Sequence, residues 1–327
     1  MASPNAVFTE LVTTTFRKHA KEIKDNVSKN NALYARIMDK GTPRKEDGGL
    51  TIVAPLDYAA NGTYQRYSGY DVLNVSASDV LSAAEFQWRQ IAMNVVASGL
   101  ELRTNSGGTR ILNLVKSRMK NAMRTFKNNF SADIYSDGTL PNQINGLQAL
   151  VSDAGTGTVG GIDSSVWGFW RSQVQSAAAP LQGGAAIVPG PTTMESLMLP
   201  LWLSLIRGDD KPDLIVADNN YFSYYEQSQT SIKRYTNDGN GAGKASGGFT
   251  SLKYKTADVI FDGGSGIPLN HMYFLNTEYL DMVVHTDADL VVMDEMRPYN
   301  QDAAVVPILW MGNMVISNRN LQGLIKP

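Results

Sequence analysis

The chain has 327 residues, of which 43% are hydrophobic and 18% charged, so it is long enough for one large domain or two small ones with real cores. Its formal net charge of −2 argues neither for nor against a nucleic-acid partner. The absence of cysteine excludes disulfides, thiolate metal sites and a cysteine nucleophile. No apolar run approaches the ~20 residues of a membrane span. We therefore expect no membrane partner.

Helical spacing of apolar residues at the N-terminus predicts an amphipathic helix over residues 6–28. A second, short helix is predicted from Leu33 to Lys40, since Gly41 and Pro43 follow it and both favour a helix end. Together these segments form a basic N-terminal arm.

The pattern then changes to alternation, which is typical of strands. It predicts a strand from Leu50 to Tyr58, a return strand from Val72 to Ala77 and a third strand from Phe86 to about Ala97. Residues 46–85 thus form a long hairpin-like excursion. A lone two-stranded ribbon is marginal in water, so its own domain or a neighbouring subunit must cover it. Its tip carries the tyrosines Tyr58, Tyr64, Tyr67 and Tyr70.

A long amphipathic helix is predicted from Thr109 to Ser136, with one apolar stripe that includes Met119, Phe126 and Phe130. Two readings of its polar face remain open. One is a solvated or ion-paired face, and the other is a weak, sequence-independent lining for packed DNA. The basic residues of this face are Arg110, Lys116, Arg118, Lys120, Arg124 and Lys127.

The second half of the chain predicts shorter elements. Thr192 to Glu195 forms a capping box that opens a buried helix. Leu214 to Ala217 reads as a buried strand, and Asp218 as the N-cap of the helix after it. A glycine- and asparagine-rich loop covers Asn237–Gly248, and short strands follow from Lys253 onward.

Two glycine motifs partly match loops that bind nucleotides or phosphates. Residues 155–160 match the dinucleotide pattern GxGxxG, but no acidic residue between Asp163 and Glu195 is available for a ribose. Residues 239–245 resemble a phosphate-binding loop in which Ala245 replaces the required hydroxyl residue. We predict no catalytic, cofactor or metal residues. An enzyme that uses the loop at residues 155–161 remains the alternative.

Six segments, in order along nearly the whole chain, resemble the major capsid proteins of tailed bacteriophages, the group with the Hong Kong 97-type shell fold. The first contains the tyrosine and Asp-Gly-Thr that follow the long helix, and the second contains the Gly-Leu pair. These segments are 130–139, 144–147, 157–171, 211–221, 270–276 and 300–323.

The resemblance implies an α+β, Hong Kong 97-like capsid fold with an extended β-hairpin loop and a long spine helix. It divides the chain into an N-terminal arm (1–45), an extended loop (46–88), a peripheral domain (89–189) with a spine helix (109–136), an axial domain (190–295) and return strands of the peripheral domain (296–327).

The resemblance also implies a function without catalysis. The chain would assemble into hexamers and pentamers of an icosahedral or prolate head, built in the bacterial host cytoplasm and found in the virion around double-stranded DNA. Portal, scaffolding and decoration proteins are the implied partners, and an encapsulin-like bacterial compartment is the alternative. The expected subunit-interface residues are Tyr58, Tyr64, Arg66, Tyr67 and Tyr70.

Two departures from the type member of this group carry further expectations. Its extended loop forms a covalent bond through a lysine, whereas residues 46–85 contain none. We therefore expect no covalent ladder on a denaturing gel of mature shells. Only the arm precedes the loop here, which leaves little room for a fused scaffold, so we expect a separate scaffolding protein.

Overall fold

The structure is a computed structural model of the chain. It describes residues 31–40, 44–76, 79–104, 108–229, 251–262 and 266–327. The predicted helix over residues 6–28, the predicted loop over residues 237–248 and the phosphate-loop-like segment lie outside these residues.

The described residues contain six α-helices: α1 (Ala32–Lys40), α2 (Gly99–Thr104), α3 (Gly108–Ile134), α4 (Leu147–Leu150), α5 (Met194–Ser204) and α6 (Asn219–Ser228). The predictions for α1 and the long helix α3 are confirmed. The helix α3 ends two residues before the predicted Ser136, because Tyr135 and Ser136 form turns in which their N–H groups donate to Ala132 and Asp133.

Fifteen strands lie in the described residues. They are β1 (Arg44–Glu46), β2 (Thr51–Asp57), β3 (Leu81–Gln87), β4 (Arg89–Ser98), β5 (Thr158–Val159), β6 (Ile162–Asp163), β7 (Gln173–Ser176), β8 (Leu214–Ala217), β9 (Ser251–Tyr254), β10 (Ala257–Phe261), β11 (Met272–Leu275), β12 (Leu280–His285), β13 (Val291–Val292), β14 (Ala303–Ile316) and β15 (Gly323–Lys326).

Two sheets and two hairpins contain these strands. A mixed six-stranded sheet has the order β7-β15-β11-β8-β10-β9. A five-stranded sheet has the order β1-β12-β14-β13, with β4 paired along the other side of the long strand β14. The pairs β2-β3 and β5-β6 are antiparallel hairpins.

The six-stranded sheet separates two hydrophobic cores, because alternate side chains of a strand point to opposite faces. In β8, Leu214 and Val216 join the larger core together with α1, α3 and the five-stranded sheet. Ile215 and Ala217 join the smaller core beneath α5 and α6. All four side chains are buried, which explains why this strand is apolar throughout.

The predicted return strand at residues 72–77 is wrong for the described part of that segment. Residues 72–76 form no strand, and the partner of β2 is β3, with Ile52 opposite Phe86. Sequence alternation is a local signal, whereas a strand requires a partner, and residues 72–76 have none within the described part of the subunit.

The predicted caps have different outcomes. Asp218 caps α6, since its carboxylate accepts from the N–H groups of Asn220 and Tyr221 at 3.2 and 3.0 Å. The capping box at Thr192 is wrong: α5 begins at Met194, and its N-cap Thr193 makes no side-chain cap bond. The Thr193 hydroxyl instead donates to the carbonyl of Val188 at 2.7 Å.

The strand pairings do not follow the predicted domain boundary at residue 295. The strands β12 and β13 lie before that boundary, yet they pair with β14, which lies after it. The strand β15, near the C-terminus, pairs with β11 and β7 in the six-stranded sheet.

Candidate assembly surfaces

The hairpin of β2 and β3 has one buried and one exposed face. Its inner face buries Ile52, Leu56 and Phe86 in the larger core. Its outer face leaves Val53 and Leu81 exposed. A ribbon that presents apolar side chains to solvent on one face is suited to cover by another chain.

Residues 58–76 and 79–80, beyond this hairpin, have no regular secondary structure. Side-chain hydrogen bonds organise this tip: the Ser68 N–H donates to Asp71 at 2.7 Å, and the Gln65 side chain bridges Val72 and Asn74. The tip thus has a defined shape without a strand partner.

Four of the five predicted interface residues are exposed in the tip. Tyr64, Tyr67 and Tyr70 are 81%, 65% and 106% exposed, and Arg66 is exposed among them. Tyr58 differs, because it contacts its own subunit. Its ring lies 5.8 Å from that of Trp167 and 5.7 Å from that of Phe169.

Tyr58 belongs to an aromatic groove between the extended loop and the hairpin of β5 and β6. The groove has a volume of about 340 Å³, and Leu81, Trp167 and Phe169 line it. The hairpin is fixed to the loop by the Glu85 N–H, which donates to the carbonyl of Gly160 at 2.9 Å.

The last glycine of the pattern at residues 155–160 allows this contact. Gly160 has a φ of +59°, and a Cβ there would lie 2.8 Å from the Cβ of Ala84, so a larger residue would separate the hairpin from the loop. Gly160 lies in the turn between β5 and β6, where the dinucleotide motif needs the start of a helix.

The spine helix α3 has a buried apolar side and an exposed basic side. Met119 and Phe126 are buried, whereas Lys120 and Arg124 are exposed and Lys127 is half-buried. From residue 108 to residue 132 the helix contains no acidic residue. Within the described residues these three cations have no ion-pair partner.

Arg118 differs from these three cations because its side chain has partners within the subunit. Its guanidinium donates to the carbonyl of Val96 and pairs with Glu101 at 2.5 Å. Arg118 therefore joins α3 to β4 and α2. Two predicted basic residues remain, Arg110 and Lys116, and the structure does not describe their side chains.

Buried amides join distant parts of the subunit, and the sequence pattern does not predict them. The Asn313 side chain accepts from the Asn145 N–H at 2.8 Å and donates to the Gln87 carbonyl at 2.8 Å. The Gln322 side-chain amide accepts from the Asn276 N–H at 2.9 Å and donates to the backbone carbonyl of Asn276 at 3.0 Å. No local pattern reveals such contacts, because the partners are far apart in sequence.

Two buried ionisable groups have a structural role. Arg319 donates to the carbonyls of Leu150 and Trp170 at 2.8 and 3.1 Å, and burial lowers its pKa to about 10. Burial, reinforced by the neighbouring carboxylate of Asp262, raises the pKa of Tyr135 well above its usual value. The Tyr135 hydroxyl donates to that carboxylate.

The described residues contain no group of His, Asp and Glu side chains arranged to hold a metal ion. Within the same residues, none of the helices combines the length and the hydropathy that crossing a bilayer requires.

No protein-family model and no curated protein matches the sequence. Solved structures do match over most of the chain. A chain of the Cyanophage A-1(L) capsid asymmetric unit superposes with a TM-score of 0.66 at 14% identity, covering 90% of this chain and 92% of that one. The capsid of the native GTA particle gives 0.56 at 12% identity, covering 89% of both chains. Mycobacterium phage Bobi gives 0.54 at 9% identity, covering 89% of this chain and 90% of that one.

These likenesses define the class of fold. The chain has the α+β, Hong Kong 97-like fold of phage capsid proteins, as the resemblance implied.

Proposed function

We propose that this chain is the major capsid protein of a tailed bacteriophage. Copies of it would form the hexamers and pentamers of an icosahedral or prolate head around double-stranded DNA. The shell would be assembled in the bacterial host cytoplasm and remain in the virion. Its role is structural and involves no catalytic residue.

The exposed apolar tip of the extended loop carries this proposal. Tyr64, Tyr67, Tyr70 and Val72 expose between 65% and 106% of their surface. Exposed apolar patches of this kind mark protein–protein contacts, and tyrosine is among the residues that contribute most to such contacts. A similarity in fold that spans about nine-tenths of both chains supports the same role.

We assign the capsid domains with one change to the sequence-based boundaries. The arm (1–45), the extended loop (46–88) and the peripheral domain from residue 89 stay as predicted. Because β12 and β13 pair with β14, and the Met293 N–H donates to the carbonyl of Pro307 in β14, we assign residues 280–295 to the peripheral domain. The axial domain then centres on α5, α6 and the strands β8 to β11, and the strands β7 and β15 of the peripheral domain extend its sheet.

The proposed partners are further copies of this chain, a separate scaffolding protein, a portal protein and decoration proteins. Packaged DNA would contact the shell without sequence specificity. Neighbouring portal and terminase genes would favour the phage over an encapsulin-like compartment, and a neighbouring cargo-enzyme gene would favour the compartment.

Replacement of two tip tyrosines tests the proposal. We expect Tyr64→Ala with Tyr67→Ala to lower the yield of sedimenting particles at least tenfold, since an interface hot spot contributes roughly 2 kcal/mol or more. The melting temperature of the unassembled chain should not change, because neither ring is buried in the subunit.

Tyr299→Ala is the matched control, since Tyr299 is a fully exposed tyrosine outside the loop. Unchanged particle yield in the double variant would remove Tyr64 and Tyr67 from the interface. An equal loss of particle yield in Tyr299→Ala would show that the tip tyrosines contribute no more to assembly than an exposed tyrosine elsewhere.

A further inference from the structure

The segment Val72–Ser76 has the sequence of a strand but not its structure. Val72, Leu73 and Val75 are 91%, 52% and 88% exposed, and β-branched residues favour strands because they pack well on a pleated surface. Within the described subunit, the segment pairs with no strand. Its sequence therefore favours a conformation that its own subunit does not complete.

One side of this segment is already hydrogen-bonded in the manner of a strand. The Gln65 side chain donates to the Val72 carbonyl at 3.0 Å and accepts from the Asn74 N–H at 3.2 Å. Backbone groups of successive residues in an extended chain point to opposite sides. The groups of Leu73 and Val75 therefore point away from Gln65, and no hydrogen bond to them occurs within the described residues.

A second incomplete pairing lies at the edge of the five-stranded sheet. Within the described residues, the strand β4 pairs with β14 along one side only. On its other side, Arg118 donates to the Val96 carbonyl and the Ser98 N–H donates to Glu101 at 3.1 Å. By the alternation of antiparallel pairing, Gln90, Ala92 and Asn94 also direct their backbone groups to this outer side.

These three residues are exposed, and within the described residues no hydrogen bond reaches their outer backbone groups. An exposed edge of this kind is a template for the addition of another strand.

A groove beside Gln90 and Ala92 contains the positive charge of Arg89. This charge is opposite in sign to that of Asp71, the residue directly before Val72. Trp88, Arg89 and Trp310 line the groove, and its volume is about 420 Å³. The Arg89 Nε is buried, and no described residue forms a hydrogen bond with it. Asp71, which directly precedes the segment, is exposed, and the Ser68 N–H is its one hydrogen-bond donor within the described residues.

We infer that Val72–Ser76 of one copy adds as a strand to the outer edge of β4, at Gln90–Asn94, in a second copy. Leu73 and Val75 supply the backbone groups that pair with this edge, and Asp71 lies near Arg89. The inference rests on the proposed function, because it names the contact by which the extended loop joins two subunits.

Disulfide mapping tests this contact in a chain that contains no cysteine. Leu73→Cys is combined in turn with Gln90→Cys, Ala92→Cys or Asn94→Cys, and assembled particles are oxidised and run on a non-reducing gel. Directly paired residues have Cα atoms about 4.5–5.5 Å apart, within the range that a disulfide spans. We expect one of the three pairs to give linked multimers, because only one register is used.

Leu73→Cys with Leu140→Cys is the control, since Leu140 is 64% exposed and lies outside the edge. Particles without linked multimers in any of the three pairs would overturn the inference and leave the proposed function intact. A link within one chain, or an equal ladder in the control, would also overturn it.

Maleimide labelling of Ala92→Cys tests whether something other than Val72–Ser76 covers the outer edge of β4. If the thiol is shielded in particles although no ladder forms, another protein covers the edge and the inference is wrong. If the wild-type chain forms no particles with its neighbouring genes, the proposed function fails and this contact fails with it.

Discussion

At the scale of single residues, two fully buried tyrosines differ in what their hydroxyls contact. The hydroxyl of Tyr135 donates to Asp262, a buried carboxylate. The hydroxyl of Tyr273 has no hydrogen-bond partner within the described residues. A buried polar group costs stability when it is unpaired and contributes when it is paired.

We predict opposite effects from the same substitution at these two sites. Tyr135→Phe should lower the free energy of unfolding by roughly 2 kcal/mol, because it removes the donor to a buried carboxylate. Tyr273→Phe should leave it unchanged or raise it. Urea unfolding of the unassembled chain at pH 7 measures both, and equal losses would contradict the role assigned to the Tyr135 hydroxyl.

At the scale of elements, Asp218 connects two segments. Besides capping α6, its carboxylate accepts from the Asn270 N–H at 2.8 Å and so fixes the turn before β11. We predict that Asp218→Ala lowers the free energy of unfolding by about 2 kcal/mol, above the ~1 kcal/mol of a typical cap. Asp209→Ala, at an exposed position, is the control. Equal stabilities by urea unfolding would contradict this role.

The basic side of α3 makes a separate prediction. If it contacts DNA phosphates, Lys120→Glu with Arg124→Glu should reduce the salt dependence of DNA binding by a slope of about 2, since each phosphate contact contributes ~0.9. Fluorescence anisotropy over a salt series measures the slope. Arg207→Glu with Lys211→Glu, at exposed sites outside α3, controls for net charge. If the salt dependence of DNA binding has the same slope in both variants, the basic side of α3 is a solvated face that does not contact DNA.

The elements also show what sequence can predict. The helix α3 and the strand β8 follow from local patterns, because the period of their apolar residues matches how they are buried. The strand expected at residues 72–77 does not form over residues 72–76, the described part of that segment, because pairing depends on a partner elsewhere. The amide contacts of Asn313 and Gln322 were missed for the same reason, since each joins segments that meet only in the folded subunit.

Four tyrosines at the candidate interface were predicted from their clustering in the sequence. That Tyr58 contacts its own subunit could not be predicted, because its partners Trp167 and Phe169 are more than 100 positions away.

At the scale of the whole molecule, the described part of the subunit leaves contacts incomplete in two places. The extended loop exposes apolar side chains, and β4 exposes an unpaired edge. Such surfaces are aggregation hazards in a monomer, but they are useful in a shell in which every copy is covered by its neighbours. Because residues 46–85 contain no lysine, we still predict that these contacts are non-covalent.

The most direct test is negative-stain electron microscopy of material sedimented from cells that express this chain, alone and together with its neighbouring genes. We predict closed shells, or tubes and sheets with a hexagonal lattice, in at least the second sample. Unassembled protein in both samples would contradict the capsid function.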